Sequence, residues 1–177
     1  MSLVPPRRWL GVDLAGQRLT LYEGEAAQRV FPVATAARGP GEQNGGGGTP
    51  RGWHCVRARI GAGAPMRAVF VARRATGEVW TPALHREHPQ RDWILSRILW
   101  LSGLERGVNR LGAVDTMRRF IYIHGCPDTE PMGVPCSHGC VRMRNEDVVE
   151  LFDVVDAGTP VWIGPRWPSR PVPGGGG

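Results

Sequence analysis

Residues 121–145 read IYIHGCPDTEPMGVPCSHGCVRMRN and contain three of the four cysteines and two of the five histidines of the chain. An apolar run leads into the first histidine, His124, and the segment ends at Asn145, where a helical pattern begins. The fold and the function both depend on what these thiols and imidazoles form. They can be a metal cage, a disulfide staple, or a thiol nucleophile with its base.

A structural metal site is the first alternative. Structural zinc sites use four Cys and His ligands, commonly in CxxC or HxxxH pairs. The spacing here is HxC followed by CxHxC and matches neither pair; its candidate ligands are His124, Cys126, Cys136, His138 and Cys140. We therefore expect no metal ion at these residues, and a non-catalytic, zinc-stabilised module is kept as the weaker alternative.

A disulfide staple is the second alternative. Cys126 and Cys136 are separated by a short loop, which a disulfide can span. Such a bond does not persist in a reducing compartment, and the chain opens with no recognisable export signal. This pairing would also leave Cys140 unpaired, which favours the third alternative.

The third alternative is a catalytic thiol at Cys140. A free thiol is only a few per cent thiolate at neutral pH and needs a base or a positive environment. His124 can supply the base and Arg142 the positive charge. Gly139 lets a substrate approach the backbone closely, and the N–H groups of residues 137–140 can converge as an oxyanion hole. Taken together, these residues favour catalysis, with the other two alternatives left open.

The composition restricts the classes of partner. All 22 basic residues are arginines, against 16 acidic residues, which gives a net charge of +6. The absence of lysine excludes lysine Schiff-base chemistry. The arginines are spread along the chain and accompany no recognition motif, so we expect no nucleic-acid partner. No apolar run of about 18 residues is present, so no membrane span is predicted.

The polarity pattern predicts a β-rich fold. Short apolar runs predict strands, at residues 8–14, 18–22, 30–35, 54–60, 68–73, 78–81, 120–123 and 159–163. The segment GPGEQNGGGGTPRG, residues 39–52, is predicted to be a mobile loop and lacks a phosphate-binding pattern. We predict a mainly β fold, a β-sandwich or barrel-like mixed sheet with one or two helices.

Two helices are predicted. Asp92 is interpreted as the N-cap of a helix through WILSRILWLSG, whose apolar residues cover most of its circumference. Asn145 is interpreted as the N-cap of the second, with Gly158 as its C′ residue. The second helix buries one face, formed by Val148, Leu151, Phe152 and Val155.

The motifs resemble those of the L,D-transpeptidase catalytic domain family, the YkuD type. The resemblance lies in IHG at 123–125, GVPCSHGCVRM at 133–143 and Asn145. It extends upstream through residues 39–53, 91–103 and 114–125. We assign residues 8–164 to an L,D-transpeptidase-like catalytic domain and predict that residues 165–177 form a disordered Pro/Gly tail.

The resemblance implies a cysteine enzyme of the cell wall. Cys140 would attack the carbonyl of the L-centre of meso-diaminopimelate in a peptidoglycan stem peptide, and His124 would take the thiol proton. The Gly125 carbonyl would orient the imidazole, and supporting or oxyanion roles would fall to Ser137, His138, Gly139 and Arg142. No cofactor is implied, and carbapenem β-lactams would acylate Cys140.

The acyl acceptor and the substrate contacts stay open at this stage. An amine acceptor gives a 3→3 cross-link, whereas water makes the protein an L,D-carboxypeptidase that trims soluble muropeptide tetrapeptides. The missing export signal favours a cytoplasmic location, and a removed leader would make it periplasmic. Candidate substrate-binding residues are Tyr122, Arg118, Arg119 and Asn145. Cys126 and Cys136 depart from the small or hydroxylated residues more usual in the family.

Overall fold

Most of the predicted strands are present in the computed structural model, which describes residues 4–174. The described residues contain ten strands: β1 (Arg8–Asp13), β2 (Arg18–Glu23), β3 (Ala26–Ala34), β4 (Gly52–Ile60), β5 (Ala68–Val71), β6 (Arg74–Val79), β7 (Ile94–Gly103), β8 (Tyr122–Gly125), β9 (Val141–Met143) and β10 (Pro160–Gly164). They also contain two α-helices, α1 (Pro82–Glu87) and α2 (Asn145–Val154), and a 3-10 turn at Gly112–Val114.

Eight of the strands close into a ring. The hydrogen-bonded order is β4-β10-β1-β2-β3-β9-β8-β7, and β4 also pairs with β7, which closes the circle. The hairpin β5–β6 is attached outside the ring, through β7. The pairs β1–β10 and β8–β9 are parallel and the other pairs are antiparallel, so the sheet is mixed. The predicted mainly β, barrel-like mixed sheet with one or two helices is confirmed, although only α2 lies where a helix was predicted.

The helix predicted after Asp92 is wrong, because this segment is strand β7. Its burial pattern is nearly continuous, since β7 is covered on both faces and pairs with β4, β5 and β8. Leu99 and Leu101 face the main core, whereas Ile98 packs in a second cluster together with Tyr122. A strand buried on both faces has the same continuous apolar run as a buried helix, and periodicity alone does not separate the two.

The main core fills the ring and includes the apolar face of α2. Nineteen buried side chains form this cluster, and they include the predicted helix face of Val148, Leu151, Phe152 and Val155. Alternate residues of β8 and β9, namely Ile123, Val141 and Met143, point into the same cluster. Their sequence neighbours point away from it, and this alternation places the polar side chains of both strands on one surface.

The ends of α2 differ from the predicted ones. Asn145 is the first helical residue and Arg144 occupies the N-cap position, without a side-chain capping bond. The Asn145 side chain is fully buried and bonds to neighbouring loops instead. The C-cap is Val155, so the helix ends before Gly158, whose positive φ belongs to the turn into β10.

Helix α1 was not predicted; Thr81 caps it by accepting a bond of 3.1 Å from Leu84 N.

The segment that follows β10 has no helix or strand up to residue 174. Trp167 nevertheless lies 5.4 Å from the Tyr22 ring, centroid to centroid, and Trp53 Nε1 donates to the carbonyl of Arg170 at 2.7 Å. This part of the predicted disordered tail therefore packs against the barrel; residues 175–177 lie outside the described part of the chain.

Neither α-helix within residues 4–174 has the length and apolar character needed to cross a membrane.

Candidate active site

The site is built on the parallel pair β8–β9. His124 is in register with Arg142, and Ile123 with Val141. Because neighbouring residues of a strand face opposite sides, His124 and Arg142 share the surface that faces away from the main core. Cys140 directly precedes β9 on that same surface. Together these side chains line a cleft of about 300 Å³.

The imidazole of His124 is held in one tautomer. Its Nδ1 lies 2.6 Å from the carbonyl oxygen of Gly125, which only accepts hydrogen bonds, so Nδ1 carries the proton and donates. Nε2 is then the nitrogen with a lone pair. Burial lowers the pKa of His124, which keeps the ring neutral near pH 7. A neutral ring with a free Nε2 can act as a proton acceptor.

The thiol of Cys140 is neutral in the resting protein. Burial raises its pKa to about 12, while the backbone N–H of Tyr122 and the guanidinium groups of Arg142 and Arg119 act in the opposite direction. The Tyr122 N–H donates to Sγ at 3.3 Å, and Sγ lies 3.5 Å from the carbonyl of Phe120. Both shifts favour the uncharged forms of Cys140 and His124 in the free protein.

The turn before Cys140 is fixed by Ser137. Its hydroxyl donates to the carbonyl of Cys140 at 2.6 Å and accepts from the N–H of Gly139 at 3.2 Å. The N–H of Ser137 itself donates to Thr35 O at 2.9 Å. The N–H groups of Ser137 and Gly139 therefore already have partners within the protein, and the oxyanion hole predicted at residues 137–140 stays a prediction. The N–H groups of His138 and Cys140 are the remaining candidates.

The glycine-rich loop contacts the turn that carries the thiol. Thr49 Oγ1 donates to Gly139 O at 2.9 Å and accepts from the N–H of Ala36 at 3.0 Å. Arg119 donates to the carbonyls of Gly41 and Gly48, at 3.0 and 2.6 Å. The loop is thus fastened to the site, in contrast to the expectation of a mobile segment. The only local signal for Thr49 was its place at the end of the glycine run, which does not identify a partner.

The side chain of Asn145 is buried and bonds to the segments around the site. It is 0% exposed, and its amide donates to Cys126 O at 2.8 Å and to Asp128 Oδ1 at 3.0 Å. Its Oδ1 accepts from the hydroxyl of Ser96 at 2.6 Å. A Cβ at Gly125 would lie 2.6 Å from this same Oδ1, so only glycine fits beside His124. Asn145 therefore stabilises the backbone next to the imidazole and does not line the cleft; its substrate contact stays a prediction.

The other predicted site residues divide into two groups. His138, Arg119, Tyr122 and Arg142 line the cleft. Arg118 does not line it and is exposed. His138 is exposed at the edge, and Arg142 lies 3.6 Å from the carboxylate of Glu130. The structure also adds Arg73 and Asp92 to the lining. No signal in the sequence indicated Arg73, because its approach depends on the orientation of a hairpin.

The remaining cysteines do not form a staple or a metal site. Cys126 and Cys136 are free thiols, and Cys126 is buried, with its pKa raised to about 12 by burial. Cys136 is half-buried and lies 3.9 Å from Nη1 of Arg142. Within residues 4–174, no three His, Cys, Asp or Glu side chains are grouped as metal ligands. The zinc alternative therefore has no ligand set among the candidates from the sequence.

Fold and site together define a class: a mixed β-barrel with a histidine on one strand and a cysteine immediately before the adjacent parallel strand, both lining one cleft. Residues 7–163 match the family model of the L,D-transpeptidase catalytic domain, YkuD. The chain belongs to this family, and the resemblance seen in the sequence is confirmed.

Two relatives that match more than half of this chain share about 30% sequence identity with it. The probable L,D-transpeptidase ErfK/SrfK of Escherichia coli K12 is 28% identical over 160 residues, which is 89% of this chain and 44% of that protein. The probable L,D-transpeptidase YbiS of the same strain is 33% identical over 106 residues, 58% of this chain and 34% of that protein. The chain thus spans less than half the length of these curated relatives.

A solved structure supports the fold. L,D-transpeptidase 3 from Mycobacterium tuberculosis, determined in complex with a faropenem-derived adduct, matches with a TM-score of 0.56 and 16% identity. The match covers 90% of this chain and 60% of that chain. At this identity the likeness concerns the fold alone.

Proposed function

We propose that this protein is a cysteine-dependent acyltransferase that acts on peptidoglycan stem peptides. It would cleave the bond between meso-diaminopimelate and D-Ala and pass the acyl group to an amine. The single observation that carries the proposal is the hydrogen bond of 2.6 Å between His124 Nδ1 and Gly125 O. It leaves Nε2 as the proton acceptor in the cleft that also contains Cys140.

Acylation would proceed through a thioester. Cys140 Sγ attacks the carbonyl carbon of the L-centre while its proton passes to Nε2 of His124. The N–H groups of His138 and Cys140 are the candidates to stabilise the oxyanion that forms. The carbon–nitrogen bond then breaks, the imidazolium returns the proton to the departing D-Ala amine, and the thioester remains.

Deacylation would transfer the acyl group to an amine. A neutral amine from a neighbouring stem attacks the thioester, its proton passes to His124, and the carbon–sulfur bond breaks. The thiolate that leaves recovers the proton from the imidazolium, so the resting pair is restored and a 3→3 cross-link is formed. Because thiol and imidazole both rest neutral, proton transfer is coupled to attack and does not precede it.

A β-lactam would be a suicide substrate of the same nucleophile. We propose that Cys140 Sγ attacks the carbonyl carbon of a carbapenem ring, the ring C–N bond breaks, and the thiol proton passes through His124 to the released nitrogen. The faropenem-derived adduct of the M. tuberculosis protein supports this proposal by analogy. Acylation should be measurable as a mass increase located on the peptide that carries Cys140.

Product analysis tests the proposal. The protein is incubated with a disaccharide tetrapeptide, and the products are identified by mass spectrometry. A cross-linked dimer, or exchange of the terminal D-Ala for an added D-amino acid, supports transfer. Tripeptide as the only product shows hydrolysis and makes the protein an L,D-carboxypeptidase, whereas unchanged substrate refutes both activities.

Cysteine variants assign the nucleophile. Cys140→Ala should abolish all products. Cys136→Ala is the matched control, because this half-buried thiol lies close to Arg142 but lines a neighbouring pocket and not the cleft. It should retain most of the activity. If Cys140→Ala keeps the activity, the proposed mechanism is wrong.

A further inference from the structure

The cleft is positively charged. Three guanidinium groups, of Arg73, Arg119 and Arg142, line it together with a single carboxylate, that of Asp92. The two histidines in the lining are His124, which burial keeps neutral, and the exposed His138. A cleft of this charge attracts an anionic ligand.

Two of the three arginines already have partners that occupy them. Arg119 donates to the carbonyls of Gly41 and Gly48, and burial lowers its pKa. Arg142 pairs with Glu130 at 3.6 Å and donates to the carbonyl of Cys136. Both side chains therefore hold the walls of the cleft in place.

Arg73 differs from the other two. Its Nη1 donates to the hydroxyl of Tyr122 at 2.9 Å, and no carboxylate among residues 4–174 lies within 4.0 Å of its guanidinium. A guanidinium has five N–H donors in a planar fork that matches a carboxylate. Most of these donors are therefore available to a ligand in the cleft.

The hairpin β5–β6 fixes the position of Arg73. Ala72 and Arg73 form its two-residue turn, with φ angles of 47° and 65°, a left-handed conformation that is unfavourable for residues other than glycine. The guanidinium lies over two rings, 4.8 Å from the centroids of both Trp100 and Phe120. The cation–π contacts thus offset the free-energy cost of the strained turn, and they orient the guanidinium of Arg73 toward the cleft.

We propose that Arg73 is the substrate-carboxylate receptor of this cleft, forming a bidentate pair with a carboxylate of the stem peptide. The inference rests on the proposed function. Tyr122 links the two ends of the arrangement, because its N–H donates to Cys140 Sγ and its hydroxyl accepts from Arg73. A stem peptide held at Arg73 is therefore aligned with the thiol along a single side chain. Its free carboxylates are those of the γ-linked D-Glu, of diaminopimelate and of the terminal D-Ala.

Binding to an inactive protein tests the inference without turnover. The affinity of the tetrapeptide for the Cys140→Ala protein is measured by calorimetry, for this variant alone and with a second substitution. Adding Arg73→Gln should weaken binding about tenfold or more, because a charge-assisted bidentate pair is lost. Arg74→Gln is the matched control: this neighbouring, exposed arginine does not line the cleft, and its loss changes the net charge equally. It should leave the affinity unchanged within about twofold.

Amidated peptides identify the carboxylate and avoid any effect of Arg73 on folding. With Arg73 present, replacing the peptide carboxylate that Arg73 binds by an amide should weaken binding about tenfold. With Arg73→Gln, the same amide should have no effect on binding. Three peptides each carry a single amide, at D-Glu, at diaminopimelate or at D-Ala, and the peptide whose binding weakens identifies the carboxylate. If none of the three amides weakens binding, or if each weakens it equally with and without Arg73, the inference is wrong.

The outcomes for this inference and for the proposed function are separable. A tetrapeptide that binds through Arg73 but is not converted by the unmodified protein refutes the proposed function and leaves the carboxylate receptor intact. If the tetrapeptide is converted but its affinity does not change in Arg73→Gln, the carboxylate receptor is refuted and the proposed function stands. A tetrapeptide that does not bind to the Cys140→Ala protein also refutes the receptor.

Discussion

The hydroxyl of Thr49 donates a hydrogen bond of 2.9 Å to the carbonyl of Gly139, ninety positions further along the chain. The same oxygen accepts from the buried N–H of Ala36. One threonine thus joins the glycine-rich loop, the end of β3 and the turn that presents the thiol. The position of Cys140 depends on this loop as well as on β9.

Removing this hydroxyl should reduce both stability and acylation. Thr49→Val keeps the shape but leaves the N–H of Ala36 and the carbonyl of Gly139 unpaired, at a cost of about 1–3 kcal/mol. The melting temperature should fall by several degrees, and carbapenem acylation of Cys140 should slow at temperatures where the variant is folded. Thr76→Val, on the exposed hairpin, is the control. An unchanged acylation rate in folded Thr49→Val would show that the hydrogen bond from the glycine-rich loop does not position Cys140.

Asn145 should affect stability more than substrate affinity. Asn145→Ala removes the amide that bonds to Cys126 O and Asp128, and leaves buried polar groups without partners. We expect a loss of about 2 kcal/mol or more in urea unfolding, with a lower kcat because the backbone beside His124 is loosened. KM should change little. Gln28→Ala at an exposed position is the control, and a rise in KM with normal stability would support Asn145 as a substrate ligand.

The resting charge state of Cys140 should be visible in its alkylation. Since burial raises the thiol pKa to about 12, the rate of reaction with iodoacetamide should increase about tenfold per pH unit between pH 7 and pH 9, without a plateau. Mass spectrometry of the peptide that carries Cys140 gives the rate. A plateau below pH 8 would instead demonstrate a thiolate–imidazolium pair in the free protein.

Histidine burial should make the fold less stable in mild acid. His54 is fully buried between the Gly52 carbonyl and the Thr116 hydroxyl, and burial lowers its pKa from 6.5 to about 4. Between these two values the unfolded chain binds a proton that the folded chain excludes, so stability is lost as pH falls from 6.5 toward 4. The shift corresponds to about 3 kcal/mol.

Urea unfolding at pH 7 and pH 5 measures this effect. His54→Gln should reduce the difference in the free energy of unfolding between pH 7 and pH 5. His88→Gln, at an exposed site, should leave that difference unchanged. The buried His124 acts in the same direction and accounts for the remaining slope. An unchanged slope in His54→Gln would show that its imidazole is not kept neutral by the fold.

The sequence predicted the central pair of the site because the chemistry is local there. His124 ends one apolar run and Cys140 begins another, and two short neighbouring strands bring such ends together. The same local reasoning failed for residues 94–103, because β7 is buried on both faces. It also failed for Asn145, whose residue type suits a cap but whose partners come from β7 and from the loop after β8. Thr49 and Arg73 reach the site through tertiary contacts that no local pattern contains.

The parallel pairing of β1 with β10 has a consequence for biogenesis. Residues 10–13 align with residues 161–164, so the first and last strands of the ring are neighbours. The barrel cannot be completed until residue 164 has left the ribosome, and until then the nascent chain exposes the edge of β1. Such distant pairing slows folding and lengthens exposure to aggregation. We expect newly made chains to depend on chaperones during this interval.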